Sequence, residues 1–395
     1  MAKKRRVAVM LELGLPFRCN MDVFAGCQQY AAEVGWDCII NPFADRVLGA
    51  KHAGRAFDGV LAHATQPLVK AARRARVPVV NVSVNSPGGN ISSVIPDCEA
   101  AGEVAAEHLM GRGFRQFGFL GFSRNVFSRL QREGFRAALN RENFPCSIHR
   151  FGLTRHIANA AGWEAFIAGL EQWVESWTLP IGLYVTEDLP CRYRIDVCHA
   201  KGLHVPQDVA MVGSHDDVVI CTSSSPTLTS INHGYLQVGY RAAALLDRLM
   251  DGEAPPGEPE LIAPTELIPR QTTDSYAVDD PLVSRALRFI AERGHEPIRV
   301  NDVATAVAAT RRTLERRFRE TLTHTIAEEI TRLRLERAKR RMVETEEPLN
   351  VVAQASGFSD ADHFYKVFVR VEGLSPTDYR QARQQTSLTR KAHLD

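Results

Sequence analysis

The rhythm of hydrophobic and polar positions changes once along this chain. Up to about residue 250, short apolar runs alternate with longer stretches whose apolar residues recur at helical spacing. The runs Val7–Leu13, Cys38–Ile40, Gly59–Ala62, Val77–Val82, Phe117–Leu120, Ile181–Val185 and Val209–Val212 predict strands. Between them, Val23–Val34, Ala100–Met110, Arg129–Asn140, Trp163–Trp177 and Leu236–Met250 predict helices. Strands this short and this apolar, separated by helices, predict parallel sheets covered on both faces. Roughly 270 residues of such pattern exceed the needs of one sheet, so two α/β lobes with a cleft between them are expected. Trp163, Trp173 and Trp177, at helical spacing, are expected in core packing.

Beyond Asp251 a Pro- and Gly-rich loop runs to Pro259, and Pro264 and Pro269 bracket a last extended segment. The polar, acidic stretch from Gln271 to Pro281 has the composition of a linker. From Leu282 only helical periodicity remains. The predicted organisation is an α/β domain over 1–273, a linker over 274–281, an all-α domain over 282–381 and a tail over 382–395.

The all-α part contains two helix pairs of the same plan. In the first, Val303–Ala308 is followed by a break and an arginine-rich helix from Arg311, with Thr310 placed to cap it. At 100° per residue Leu314 and Phe318 share one face, Arg312, Arg316 and Arg319 lie opposite, and Glu315 stands at the edge. A helix held by two apolar residues and presenting guanidinium groups outward suits an electronegative groove, where arginine grips phosphate or reads guanine. In the second pair, Val351–Ser356 and Gly357 precede a helix that Asp360 can cap. There Phe364, Phe368 and Val371 are expected to be buried, with Asp362, Lys366 and Val369 outward and His363 and Arg370 beside them. Gly357 falls where the turn needs a residue tolerant of positive φ. Ile326–Val343, with the cationic run from Arg332 to Arg341, reads as a rigid connector. Two such units predict a reader of two successive major-groove segments.

Charge supports this division. From Leu282 onward there are 21 Lys and Arg against 16 Asp and Glu, a balance of +5. The rest of the chain, whose total is +2, therefore carries −3. A basic module on a mildly acidic body fits a nucleic-acid reader controlled by something else. The eight cysteines lie between Cys19 and Cys221 at irregular spacing, without a C-x-x-C pair, and are expected as reduced thiols in a cytoplasmic protein. The apolar run after Lys3-Lys4-Arg5-Arg6 is too short for a membrane span or a signal-peptide core. No G-x-S-x-G elbow surrounds any serine, and Gly111-x-Gly113 lacks the third glycine of a dinucleotide site. His215-Asp216-Asp217 has no third metal ligand at a telling distance. No catalytic residue, metal or cofactor is expected.

Longer motifs carry a family resemblance. Arg332-Leu333-x-x-Glu336-x-Ala338, then Val351-Val352-Ala353-x-x-x-Gly357-Phe358-Ser359-x-x-x-x-Phe364-x-x-x-Phe368, then Gly373-Leu374-Ser375-Pro376-x-x-Tyr379-Arg380 resembles the signature of AraC/XylS-type transcription regulators over about residues 282–381. The resemblance implies base readers at Arg312, Glu315 and Arg316 in the first unit, with Arg311 and Arg319 flanking, and at Ala361, Asp362, His363 and Lys366 in the second. Asp362 departs from the amide or hydroxyl side chains often found there; a carboxylate accepts from cytosine N4 but repels phosphate.

Upstream, three segments together resemble the effector domains of LacI/GalR regulators, a fold shared with periplasmic sugar-binding proteins. They are Phe57–Leu61 with Val77–Val80, Asp97–Gly113 with Phe117–Gly121, and Val205–Gly213. The implied fold is a two-lobe α/β periplasmic-binding-protein-like domain followed by an all-α domain with two helix-turn-helix units. The implied effector is a small, xylose-like sugar or sugar derivative, contacted by Gln131 and His215 at positions matching the family's cleft residues, by Asp216 next to the latter, and by Asp188, which matches the cleft carboxylate when one inserted residue is allowed. His215 stands where a carboxylate is usual, which leads to the expectation of an anionic ligand whose binding strengthens as pH falls through about 6.5.

The leading expectation is a ligand-controlled regulator of a sugar-utilisation operon and not an enzyme. Its partners would be operator DNA, the sugar, a second copy of the chain and, for an activator, RNA polymerase. Two alternatives stay open: a DNA-binding regulator whose N-terminal domain only dimerises, and an α/β enzyme with a DNA-binding tail.

Overall fold

The computed structural model describes residues 4–13, 18–49, 56–86, 91–151, 160–223, 225–278, 280–322 and 324–381; the expected tail at 382–395 lies outside them. The strands in chain order are β1 (Arg6–Met10), β2 (Asp37–Ile40), β3 (Gly59–Ala62), β4 (Val79–Asn81), β5 (Ser92–Pro96) and β6 (Gln116–Phe122). They continue with β7 (Cys146–Phe151), β8 (Ile181–Val185), β9 (Val209–Ser214), β10 (Thr229–Asn232), β11 (Glu260–Ile262) and β12 (Glu266–Ile268). The helices of the same part are α1 (Arg18–Val34), α2 (Ala44–Gly49), α3 (Gln66–Ala75), α4 (Cys98–Gly111), α5 (Val126–Arg141), α6 (Ala160–Glu175), α7 (Asp188–Ala200), α8 (Val218–Thr222) and α9 (Tyr235–Met250). The all-α part comprises α10 (Pro281–Arg293), α11 (Val300–Ala306), α12 (Arg311–Thr321), α13 (Ile326–Glu344), α14 (Leu349–Ala355) and α15 (Ala361–Glu372). The chain divides into two compact units, the first comprising most of the chain up to Thr273 and the second running from Asp274 and including Arg112–Phe114 and Pro206–Asp208.

The first unit holds two sheets, ordered β11-β5-β4-β3-β1-β2 and β12-β10-β9-β8-β6-β7. Their pairings are parallel except for β12, which runs antiparallel to β10. β3 and β8 are buried at every position, as strands covered on both faces must be. β5, β7 and β10 are not marked by apolar runs, for identifiable reasons. β5 and β10 carry Ser and Thr in buried positions, and β7 is an edge strand with the polar mix Cys-Ser-Ile-His-Arg-Phe. The chain passes between the lobes after β5, β10 and β11. Trp173 lies in the second lobe's core, with Trp163 and Trp177 half-buried against it.

α4 and α5 meet backbone to backbone. A Cβ at Gly102 would come within 2.1 Å of Gln131 O, and one at Gly134 within 1.9 Å of Glu99 O. Nothing larger than glycine fits at either position.

In the second unit, α10, α11, α12 and the first half of α13 surround one core, with Ile290, Val303, Leu314, Phe318, Ile330 and Leu333 at its centre. The second half of α13 contributes Leu335, Ala338 and Met342 to another core, with Val352, Phe358, Phe364 and Phe368. One helix thus belongs to both cores. The residues expected to form a linker, from Asp274 onward, group with this unit.

Candidate nucleic-acid interface and effector site

α12 begins where Thr310 Oγ1 accepts from Thr313 N. Leu314 and Phe318 are fully buried, so the arc through Arg312, Arg316 and Arg319 is forced outward, and all three are exposed. Arg311 and Glu315 pair at 2.8 Å, and Arg316 pairs with Glu320 at 2.9 Å. Such exposed pairs contribute at most about 1 kcal/mol each and can be exchanged for phosphate or base contacts.

α15 is capped by Asp360, whose Oδ1 accepts from His363 N at 2.7 Å. Gly357 has φ of +93° in the turn before it. Ala361, Asp362, His363 and Lys366 are all exposed, on the outward arc. The buried face differs from expectation at one position. Val367 joins Phe364 and Phe368, while Val371 is 56 % exposed, one residue from the helix end.

The cationic run on α13 serves the protein itself. Arg334 donates to the carbonyls of Gly294, Glu296 and Ile298 at 2.9–3.3 Å, and Arg337 to that of Ala291. Lys339 reaches Glu372 at 3.1 Å and Arg341 reaches Glu347 at 2.7 Å. α13 is therefore fastened to α10 and to the loop after it on one side, and to α15 on the other.

In the first unit, the expected effector residues fall at the carboxyl ends of the second lobe's parallel strands, where ligands of such sheets bind. The two carboxylates are engaged by the protein. Asp188 accepts from Ser230 Oγ at 2.6 Å and Asp217 N at 2.8 Å, and burial pushes its carboxyl up to about 7. Asp216 is paired with Arg270 at 2.7 Å. Gln131 and His215 are different. Gln131 is fully buried, its Oε1 accepting from Tyr184 Oη at 2.6 Å and Ser214 Oγ at 3.2 Å, while its Nε2 has no partner. The His215 ring is flanked by Phe127 at 5.2 Å and Tyr235 at 5.7 Å, both nearly parallel to it, and its Nδ1 has no partner. His215 also holds φ of +95°, a backbone state costly for a bulky side chain and maintained where the surroundings dictate it. Burial lowers its pKa to about 4. That corrects the expectation of a cationic His215 at pH 6.5: the imidazole is neutral there and offers no charge to an anion.

Five further residues border this patch. His233, fully buried at the passage from β10 to α9, bonds Ser214 Oγ through Nε2 at 2.8 Å and leaves Nδ1 without a partner; burial holds it neutral. Glu187, at the start of α7, makes no capping bond, and burial raises its carboxyl to about 7. Phe127 and Tyr235 supply the aromatic faces. Asn85, in the segment after β4 of the first lobe, accepts from Val126 N at 2.9 Å and Phe127 N at 3.3 Å, tying that lobe to the start of α5. Nothing local in Thr-Ser-Ile-Asn-His-Gly marks His233; the only available signal was its place at a strand end just before a helix.

Among the described residues no group of three or more His, Cys, Asp or Glu could hold a metal ion, and no helix is long and apolar enough to cross a membrane.

Comparison with known proteins agrees with both halves. Residues 106–273 match the periplasmic binding protein-like domain family, and residues 303–382 match a helix-turn-helix domain family. The xylose operon regulatory protein of Escherichia coli K12 is 27 % identical, covering 98 % of this chain and 99 % of its own. That of Haemophilus influenzae is 26 % identical over 82 % of this chain and 85 % of its own. A solved structure of the xylose-binding transcription activator XylR superposes with a TM-score of 0.70 at 25 % identity, over 96 % of this chain and 99 % of that one. Along nearly its whole length the chain is similar to the xylose operon regulatory proteins, with a match to the periplasmic-binding-protein-like domain family followed by a match to a helix-turn-helix domain family.

Proposed function

We propose that this chain is a sequence-specific DNA-binding transcription regulator of a sugar-utilisation operon, controlled by a small uncharged sugar held in the first unit. The observation that carries the sensing half is the patch of buried nitrogens without partners, Gln131 Nε2, His215 Nδ1 and His233 Nδ1, beside aromatic rings. Buried polar atoms are rarely left unpaired, and a sugar presents hydroxyls to such atoms and C–H faces to aromatic rings. Two neutral histidines and two carboxyls pushed up to about 7 make the patch a poor host for an anion. A neutral pentose or hexose therefore replaces the sugar acid as the expected ligand.

Binding can regulate only if it favours one arrangement of the chain over another. The relatives are regulators and not enzymes, and the chain is read in the same way. It would act in the cytoplasm, on duplex DNA, as a homodimer, with RNA polymerase as a further partner if it activates.

Titration calorimetry of the full chain with D-xylose, other neutral pentoses and hexoses, and the matching aldonic acids tests this. A neutral sugar is expected to bind, and Gln131→Ala or His233→Ala to weaken it by about 1–3 kcal/mol. Tight binding of the acids alone would overturn the uncharged assignment, and binding of neither class would leave a domain that only dimerises.

A further inference from the structure

The stretch leading into α10 has the composition of a free acidic linker, yet two of its carboxylates, Asp274 and Asp280, are bound to the reading domain. Asp274 accepts from Arg332 Nη1 at 2.8 Å. The same guanidinium forks onto Glu329 with Nε at 3.0 Å and Nη2 at 2.7 Å. Glu329 is only 1 % exposed and is also bonded by His324 Nε2 at 2.9 Å. Burial by itself would raise the Glu329 carboxyl, but the bonds and charges of Arg332 and His324 bring it down to about 2. His324 lies just beyond α12, with its ring edge-on to Phe318, the buried anchor of that helix, at 5.9 Å. Its other neighbour is Tyr276 at 5.4 Å, over which the Arg332 guanidinium also lies.

At the far end of the stretch, Asp280 caps α10 by accepting from Leu282 N and Val283 N. Its other oxygen accepts from Nε of Arg317, a residue of α12, at 2.5 Å. Two carboxylates of one short segment therefore hold the same helix, one along its flank and one through the groups behind its C-terminal end.

We infer that the segment from Asp274 to Asp280 is a strap that positions α12, with Asp280 gripping it through Arg317 and Asp274 bracing it through Arg332, Glu329 and His324. This rests on the reading of α12 as a DNA-contacting helix. Electrostatics alone argues against acidic residues here, because carboxylates beside a DNA-reading helix repel phosphate. A positional role gives them a reason to be present, and the two roles differ in sign when the charges are removed.

The test uses full-length Asp274→Asn, Asp280→Asn and the double variant. Asparagine keeps the shape and still caps a helix, so what is removed is the charge facing Arg332 and Arg317. Without DNA, amide exchange in α12 is expected to accelerate several-fold while exchange in the first unit stays as in the native chain. A duplex selected by the native chain from a random pool should bind the double variant about tenfold more weakly. An unrelated duplex of equal length should bind it as well as, or better than, the native chain. Unchanged α12 exchange, or tighter binding to both duplexes, overturns the strap. If the native chain selects no sequence, the DNA-reading assignment fails, and the exchange measurement still decides the strap. Either single variant carries the test if the double variant does not fold.

Discussion

Ser230 Oγ lies 2.6 Å from Asp188 Oδ1, both residues buried, and it donates the hydrogen bond that joins β10 to the start of α7. With Asp217 N on the other oxygen, this carboxyl fastens the turn that carries His215. Burial raises its pKa from 3.8 to about 7. An acid raised on folding takes up a proton as the chain folds. Its favourable contribution is fully present below about pH 4 and is lost as pH climbs through about 7. The native chain should therefore lose stability relative to Asp188→Asn across that window, by at most about 1.4 kcal/mol per pH unit. Paired urea titrations at several pH values check this, and a constant difference between the two proteins would refute it.

Arg312 and Arg316 lie opposite the Leu314 and Phe318 anchor and are exposed. Arg316→Ala is expected to cost about 1–3 kcal/mol in affinity for a selected duplex if it reads a base. Fluorescence anisotropy measures this directly. Unchanged affinity in the Arg312→Ala, Arg316→Ala double variant would remove α12 from the interface.

Because α13 is shared by both cores, the two reading helices are expected to engage successive major-groove segments on one face of the duplex, about 34 Å apart. Hydroxyl-radical footprinting should show two protected segments per chain. Asp362→Asn should tighten binding to unrelated DNA by removing an exposed negative charge. Protection of one segment alone would confine α15 to packing.

Gly102→Ala places a methyl 2.1 Å from Gln131 O. Overpacking of this kind typically costs about 1–3 kcal/mol, so the urea midpoint of the first unit should fall. Because the clash pushes on the residue that carries the unpaired Nε2, sugar affinity should fall with it. Native sugar affinity in a folded Gly102→Ala protein would separate Gln131 from the site.

What could be read from the chain and what could not divide along the range of the interactions. β3 and β8 were legible because burial on both faces leaves a continuous apolar run. β10 was not, because its Thr229 and Ser230 are buried by hydrogen bonds to Thr272, Thr273 and Asp188, some forty residues away in sequence. The outward arc of α12 followed from helical spacing alone. Asp188 and Asp216 stood out as sugar ligands through the family resemblance, but their partners Ser230 and Arg270 lie far along the chain and only the fold brings them near. His233 was overlooked for the converse reason: its importance lies in an unpaired atom, which no spacing pattern reveals. Val371 was assigned to a buried face by its spacing from Phe364 although α15 ends at Glu372, where there is little left to cover it.

The fastening of α13 bears on how the protein would be felt by a duplex at a distance. Arg332, Arg334, Arg337, Lys339 and Arg341 each have an acceptor inside the domain. These five side chains are therefore held by the domain itself and not extended toward the ions condensed on DNA, although Arg334 and Arg337, whose acceptors are neutral carbonyls, keep their charge. The slope of log affinity against log salt would count mainly the contacts made by the tips of α12 and α15, with the long helix between them serving as a spacer and not as a contact surface.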